Sequence, residues 1–376
     1  MAKNILILSN NINGLYSFRR EVILSIVKEG YQVYISIPDF DSSRVGYFEE
    51  NGCHVIPTGF NRRGMNPFAD IRLIITYCRL IDRLKPVAVL TYTIKPNVYG
   101  GMVCRLYGTP QLANVTGLGD AVENGGWLQK LTIILYKIGI GKAKRVFFQN
   151  HSNRDFCIRH GIADERSILL PGSGVNLKHH VLQPYPEDGV IRFLYIGRIM
   201  KDKGCKELFE AAKEIKAKYD NVEFQILGSI EGDFNAQFDL LVSQGIIKFL
   251  GQTTDVRPYI DQAHCTIMPS YHEGMSNVNL ESAANGRPVI TTDVPGCRET
   301  VDDNVTGFLV EPKSTESLIN GIRRFLALPY EQKKILGQNA RKKVKHEFDR
   351  DIVVRAYIEE LESIGERHVI DNRACI

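Results

Sequence analysis

At 376 residues, with 44% hydrophobic and 24% charged residues, the chain is too long for one ordinary core and too apolar for a disordered or fibrous protein. Two domains of about 150 to 200 residues each are expected. The formal net charge of +4 conceals halves of opposite sign: residues 1–183 hold 22 Lys and Arg against 13 Asp and Glu, and the remainder 25 against 30. No nucleic-acid recognition motif or basic-aromatic cluster accompanies the basic half, so nucleic acid is set aside. A phosphorylated substrate, an anionic lipid surface or a merely solvated face remain.

The first residues, MAKNILILSN, hold a five-residue apolar run, too short for a signal-peptide core, and predict a buried strand. Helix-length amphipathic stretches then alternate with short apolar runs: residues 18–29, QVYISIP, an acidic turn, CHVIPTG, residues 71–84, VAVLTYT, VYGGMVCRLYG, QLANVTG and RVFFQN. That alternation predicts parallel strands with crossover helices, a first doubly wound domain over 1–183. Residues 127–145, WLQKLTIILYKIGIGKAKR, mix Leu, Ile and Tyr with five cations. They read equally as a helix on a bilayer surface and as one packed into this domain beneath exposed lysines. No run reaches the roughly 18 apolar residues of a membrane span.

LKHHVLQPYPEDG has two prolines and no apolar period, and predicts the linker. A second set follows over 184–349: IRFLYIG, a helix near 206–219, VEFQILGS, IIKFLG, the helical VRPYIDQA, CTIMPS, a helix after Gly274, PVITTD and GFLVEP. A last amphipathic helix near 350–365, within a third segment 350–376, is expected to pack back on the first domain. The eight cysteines are scattered without CxxC spacing, which predicts reduced thiols, a cytoplasmic setting and no metal site. The fold class predicted is α/β, two Rossmann-like parallel-sheet domains facing across a cleft.

Ligands of such sheets bind where strands end and helices begin, so the turns after strands carry the candidates. After IRFLYI, Gly197, Arg198, Lys203 and Gly204 form a glycine-bounded loop whose two cations suit a diphosphate leaving group. After CTIMPS come Glu273, Gly274, Met275, Ser276, Asn277 and Glu281. A helix starting near Ser276 puts the two glutamates on nearly one side, about 12 Å apart, with the intervening amides turned toward an anion.

GRxxxxKG, followed about 70 residues later by PSxxEG and E-x7-E, together with the tail ESAANGRPVITTDVPGCRETVDDNVTGFLVEP, resembles the retaining family 4 glycosyltransferases across the whole second domain. The resemblance implies a GT-B fold, transfer with retention and no metal or other cofactor, and a nucleotide-diphosphate sugar held mainly by the second domain. It implies Arg198 and Lys203 as the diphosphate pair, Glu281 on the ribose, Glu273 near the donor sugar, and the amides of Gly274 to Asn277 around sugar and phosphates. Gly197 bounds the loop, and Gly14 in SNNINGLYS stands where the family has a glycine-rich turn beside the phosphate. The family's first-domain histidine has no counterpart; Thr91, Tyr92, Thr93 and Lys95 occupy that stretch.

KPNVYGG and NVTGLG resemble enzymes that extend polyprenyl-diphosphate-linked sugars, including N-acetylgalactosaminyltransferases. Arg19, Arg20, Arg62, Arg63 and Lys95 are then the candidate cations for a lipid diphosphate, with plain surface solvation as the alternative for each. A peripheral position on the inner face of the plasma membrane and a role in surface polysaccharide synthesis follow. A nucleotide-sugar 2-epimerase on the same architecture and a non-catalytic nucleotide-sugar-binding subunit are the alternatives.

Overall fold

The computed structural model describes residues 3–38, 41–59, 66–118, 126–231 and 234–374. The chain forms two compact units, Met1–Ser173 with Asp351–Ile376, and Gly174–Arg350. The division falls ten residues before the expected one at 183/184, because tertiary contacts capture the proline-bearing segment. The wholly buried Arg287 guanidinium donates to the carbonyls of Gln183 at 3.3 Å and Pro184 at 2.8 Å, and the Tyr185 hydroxyl donates to that of His264 at 2.7 Å. The segment is thereby part of the second unit.

In the first unit the order is β1 (Asn4–Leu8), α1 (Ile12–Lys28), β2 (Gln32–Ile37), α2 (Ser42–Glu50), β3 (Cys53–Pro57), α3 (Pro67–Leu84) and β4 (Ala88–Tyr92). A π-turn over Pro96–Gly100 then leads into α4 (Gly101–Tyr107), β5 (Gln111–Val115), α5 (Gly126–Ile140), β6 (Arg145–Phe148), α6 (His151–Arg159) and β7 (Ile168–Leu169). The strands pair in parallel in the order β3-β2-β1-β4-β5-β6-β7, with Ile5 opposite both Val33 and Ala88. Strand alternation feeds two layers. Ile5 and Ile7 pack with α1, α2 and the chain's last helix, while Leu6, Leu8 and Val89 pack under α3 and α4. The acidic turn expected before β3 is instead α2. The Asp41 side chain accepts from the Ser43 and Arg44 amides, capping the helix start, and Val45 and Phe48 bury its inner face.

In the second unit the order is β8 (Ile191–Ile196), α7 (Cys205–Lys216), β9 (Val222–Leu227), α8 (Asn235–Ser243), β10 (Ile247–Phe249), α9 (Arg257–Gln262), β11 (Cys265–Met268), α10 (Asn277–Ala284), β12 (Val289–Thr292), β13 (Gly307–Val310), α11 (Thr315–Ala327) and α12 (Tyr330–Glu347). Its parallel sheet runs β10-β9-β8-β11-β12-β13. α13 (Arg350–Ala374) follows and returns Val353, Tyr357, Leu361 and Ile364 to the core of the first unit.

Both sheets reverse their strand order once, between β1 and β4 and between β8 and β11. At such a reversal the flanking loops diverge to opposite faces and leave a crevice at the carboxyl edge. The turns after β8 and β11 are the two that sequence reasoning singles out.

Candidate functional site

Two glycines set the backbone of the second unit's site. Gly204 has φ +67, and a Cβ there would lie 2.0 Å from the Pro269 carbonyl oxygen, so the loop after β8 lies directly on the turn after β11. The contact is stitched by the Asp202 carbonyl, which accepts from the Tyr271 amide at 2.9 Å and the Ser270 hydroxyl at 3.3 Å. Across this seam Lys203 Nζ donates to Glu273 Oε1 at 2.5 Å, both side chains about four-fifths shielded from water. From the other side Gly296, at φ +83, has room for no side chain: a Cβ would sit 2.4 Å from the Glu273 carbonyl oxygen. Its own carbonyl accepts from the Ser276 amide at 2.7 Å.

Ser276 caps α10, its hydroxyl accepting from the Asn279 amide at 3.4 Å. Asn279 is fully buried and donates to Thr291 Oγ1 at 3.2 Å and Thr300 Oγ1 at 3.0 Å, tying α10 to β12. One turn on, the half-buried Glu281 carboxyl makes no hydrogen bond among the described residues. Burial pushes it up to about 7, with the Arg350 guanidinium opposing the rise. Arg198 extends to solvent and meets Glu231 at 3.0 Å, while its carbonyl accepts from the buried Tyr195 hydroxyl at 2.7 Å.

The predicted residues Gly197, Arg198, Lys203, Glu273 to Asn277 and Glu281 thus fall in three pieces at one sheet reversal: the loop after β8, the turn after β11 and the helix that follows it. Two details differ from expectation. The Ser276 amide is committed to Gly296 and is no free anion donor, and the Met275 side chain is core, packed with Leu280, Val344 and Phe348. Glu231 and Gly296 escape the sequence reading. Gly296 leaves a trace in the PG turn after PVITTD, and Glu231 none.

Residues 4–150 match the model of the glycosyl transferase 4-like family, and residues 183–343 that of the glycosyl transferases group 1 family. The chain is a glycosyltransferase built of these two domains, the 4-like and the group 1. Its two parallel sheets are the GT-B fold. The enzyme is 24% identical over 363 residues to the N,N'-diacetylbacillosaminyl-diphospho-undecaprenol alpha-1,3-N-acetylgalactosaminyltransferase of Campylobacter jejuni, covering 92% of this chain and 94% of that one. It is 26% identical over 351 residues to the capsular polysaccharide biosynthesis glycosyltransferase CapM of Staphylococcus aureus, covering 88% and 89%. HepE of Anabaena, solved with UDP and glucose, superposes with a TM-score of 0.77 over 96% of this chain and 99% of its own; at 16% identity this likeness speaks for the fold.

The first unit of the glycosyltransferase treats its candidates differently. Gly14 lies in the opening turn of α1, which starts at Ile12 behind the cap Asn11 rather than at residue 18, and a Cβ there would meet nothing closer than 3.8 Å. Arg19 is a correction. It is buried on the inner stripe of α1 between Leu15 and Ile23, donates to the Phe18 carbonyl at 3.0 Å and faces the Tyr92 ring at 5.7 Å. No lipid diphosphate reaches it there. Lys95 pairs with Asp70 at 2.7 Å, and the Tyr99 hydroxyl donates to the other Asp70 oxygen at 2.8 Å. Arg20 pairs with its neighbour Glu21. Arg62 and Arg63 lie outside the described residues. Where the family histidine is lacking, Thr93 holds φ 74, a left-handed conformation unusual for a β-branched residue, directly at the carboxyl end of β4.

Among the described residues no group of three or more His, Cys, Asp or Glu side chains is placed to hold a metal ion, and no helix is long and apolar enough to cross a membrane.

Proposed function

We propose that the glycosyltransferase moves a hexose or N-acetylhexosamine, with retention and without a metal, from a UDP-sugar to a polyprenyl-diphosphate-linked sugar in surface polysaccharide synthesis. The observation that carries this reading is the Lys203–Glu273 pair at the β8/β11 reversal, joining the loop that holds Arg198 to the turn that leads into the helix of Glu281. The Campylobacter relative's name, with its diphospho-undecaprenol acceptor, and the UDP bound by HepE support the choice of substrates.

In this mechanism the donor's anomeric C–O bond to phosphate breaks as the acceptor oxygen bonds the same face of the anomeric carbon. The acceptor proton passes to the departing phosphate oxygen, so no separate base is needed. Arg198 and Lys203 neutralise the charge that grows on the diphosphate. Glu281, with no hydrogen bond among the described residues, accepts from the ribose hydroxyls. Glu273 orients Lys203 and faces the sugar.

The test is transfer by the purified enzyme from a panel of UDP- and GDP-sugars to a polyprenyl-diphosphate-sugar with EDTA present, the product's anomeric configuration read by NMR. Retention with one UDP-sugar preferred sustains the reading. Inversion, loss of activity in EDTA, or sugar isomerisation without an acceptor, as a 2-epimerase would show, overturns it.

A further inference from the structure

The outer surface of the first unit's α3–α4–α5 layer is built unlike the rest of the molecule. α5 buries Tyr136 and Ile140 against β5 and β6. On its opposite side Trp127, Leu131, Ile134 and Ile138 are exposed, spaced four, three and four residues apart, a continuous apolar stripe where a solvated helix carries polar groups. Trp127 is 72% exposed.

α3 repeats the pattern. It buries Leu73, Tyr77 and Leu80 and turns Phe68, Ile71 and Ile75 outward, Phe68 at 83% exposure. α4 lies against both helices, its Arg105 donating to the Ile138 carbonyl at 3.0 Å, and adds Leu106, 74% exposed. All three helices cover the same face of the sheet, so these residues look outward from one layer. An exposed apolar surface on this scale marks a binding face.

Charge identifies what covers it. Residues 126–145 hold Lys130, Lys137, Lys142, Lys144 and Arg145 and no carboxylate. Lys130, Lys137 and Lys142 are exposed beside the stripe. An apolar stripe bearing tryptophan and flanked only by cations is complementary to the interface of an anionic bilayer: the rings and branched chains enter the headgroup boundary while the lysine stems extend to the phosphates.

We infer that α5, with the outward residues of α3 and α4, docks the enzyme on an anionic lipid bilayer. The inference extends the lipid-linked acceptor reading, because a surface-seated first unit meets its acceptor in two dimensions.

Trp127 is the chain's one tryptophan, so its fluorescence reports on this surface alone. Full-length protein should co-sediment with phosphatidylglycerol-containing vesicles and its emission should shift to the blue. Pure phosphatidylcholine vesicles and raised salt should bind it more weakly. Ile134→Glu with Ile138→Glu should lower vesicle affinity by about a hundredfold. Lys130→Gln with Lys137→Gln should cost about tenfold and remove the preference for anionic lipid. Both double variants should melt like the parent and keep its transfer rate to a short-chain, water-soluble acceptor, losing only transfer to long-chain acceptor in vesicles.

The inference fails if the parent neither sediments nor shifts, or if the isoleucine variant binds vesicles as the parent does. It fails equally if the parent ignores vesicles and forms a concentration-dependent dimer that this variant abolishes, since the stripe is then a contact between copies. Absence of transfer to the soluble acceptor by the parent would instead defeat the acceptor reading, leaving the vesicle result to stand on its own.

Discussion

The two units share one architecture and differ in what they do with their charged residues. In the second, cations and carboxylates from distant parts of the sequence converge on one sheet reversal, with Lys203 and Glu273 70 residues apart and 2.5 Å in contact. In the first, the cations that look equally suited to an anion are dispersed: Arg19 into the core, Lys95 onto Asp70, Arg20 onto Glu21. A charged residue type carries little information until spacing and a neighbouring glycine fix where its backbone must go. The second unit's loops have both, and the first unit's arginines have neither.

The contrast can be broken most decisively at Lys203. Lys203→Met should lower kcat by about 10² to 10³ with the melting temperature nearly unchanged, measured by steady-state transfer and circular dichroism. Parental turnover would remove the centre of the second site.

Glu281→Ala should weaken UDP binding about tenfold to a hundredfold in calorimetry. Because the Glu281 carboxyl stands at about 7, UDP affinity in the parent should fall as pH drops from 8 to 6, and Glu281→Gln should flatten that dependence. Stability runs the other way. A carboxyl whose native pKa is raised contributes stability that is present below its unfolded value and is lost as pH rises through about 7. Without nucleotide at pH 8, Glu281→Gln should therefore melt above the parent.

Gly296→Ala should destabilise the second unit by about 1–3 kcal/mol and lower turnover by displacing Glu273, a coupling visible as paired losses in melting temperature and kcat. In the first unit, Arg19→Met should cost about 1–3 kcal/mol of stability while the acceptor KM stays put. A raised KM with normal melting would return Arg19 to the site. The smallest effect is expected at Lys95→Met, about 1 kcal/mol or less and under a threefold change in acceptor KM.

Much of this was legible beforehand where one-dimensional signals are strong. CTIMPS, PVITTD and VAVLTYT are short apolar runs bounded by turns and become β11, β12 and β4, and the α10 start at Ser276 follows from a serine cap. α11 and α12 were missed. α12, YEQKKILGQNARKKVKHE, buries one small patch around Leu336, Ala340 and Val344 beneath a coat of lysines, so its apolar period is faint. The linker lies elsewhere than its prolines suggest because the grip of the Arg287 guanidinium on six backbone carbonyls has no local signature. Arg19 could have been found: it occupies a position of the i, i+4 stripe formed by Leu15, Ile23 and Ile26. Its charge outweighed its place.

The return of α13 to the first unit bears on how the protein is made. Tyr357 stacks on Phe147 at 4.6 Å and Glu360 accepts from Arg145 at 2.6 Å, so a helix made after the second unit completes a layer begun before it. The second unit, continuous in sequence, has all its strands and core helices once Arg350 is made. The first must wait with the bed of Val353, Tyr357 and Leu361 uncovered until those residues clear the ribosome. A nascent chain arrested at Arg350 would thus carry a finished second unit while the first unit still had an open sheet face.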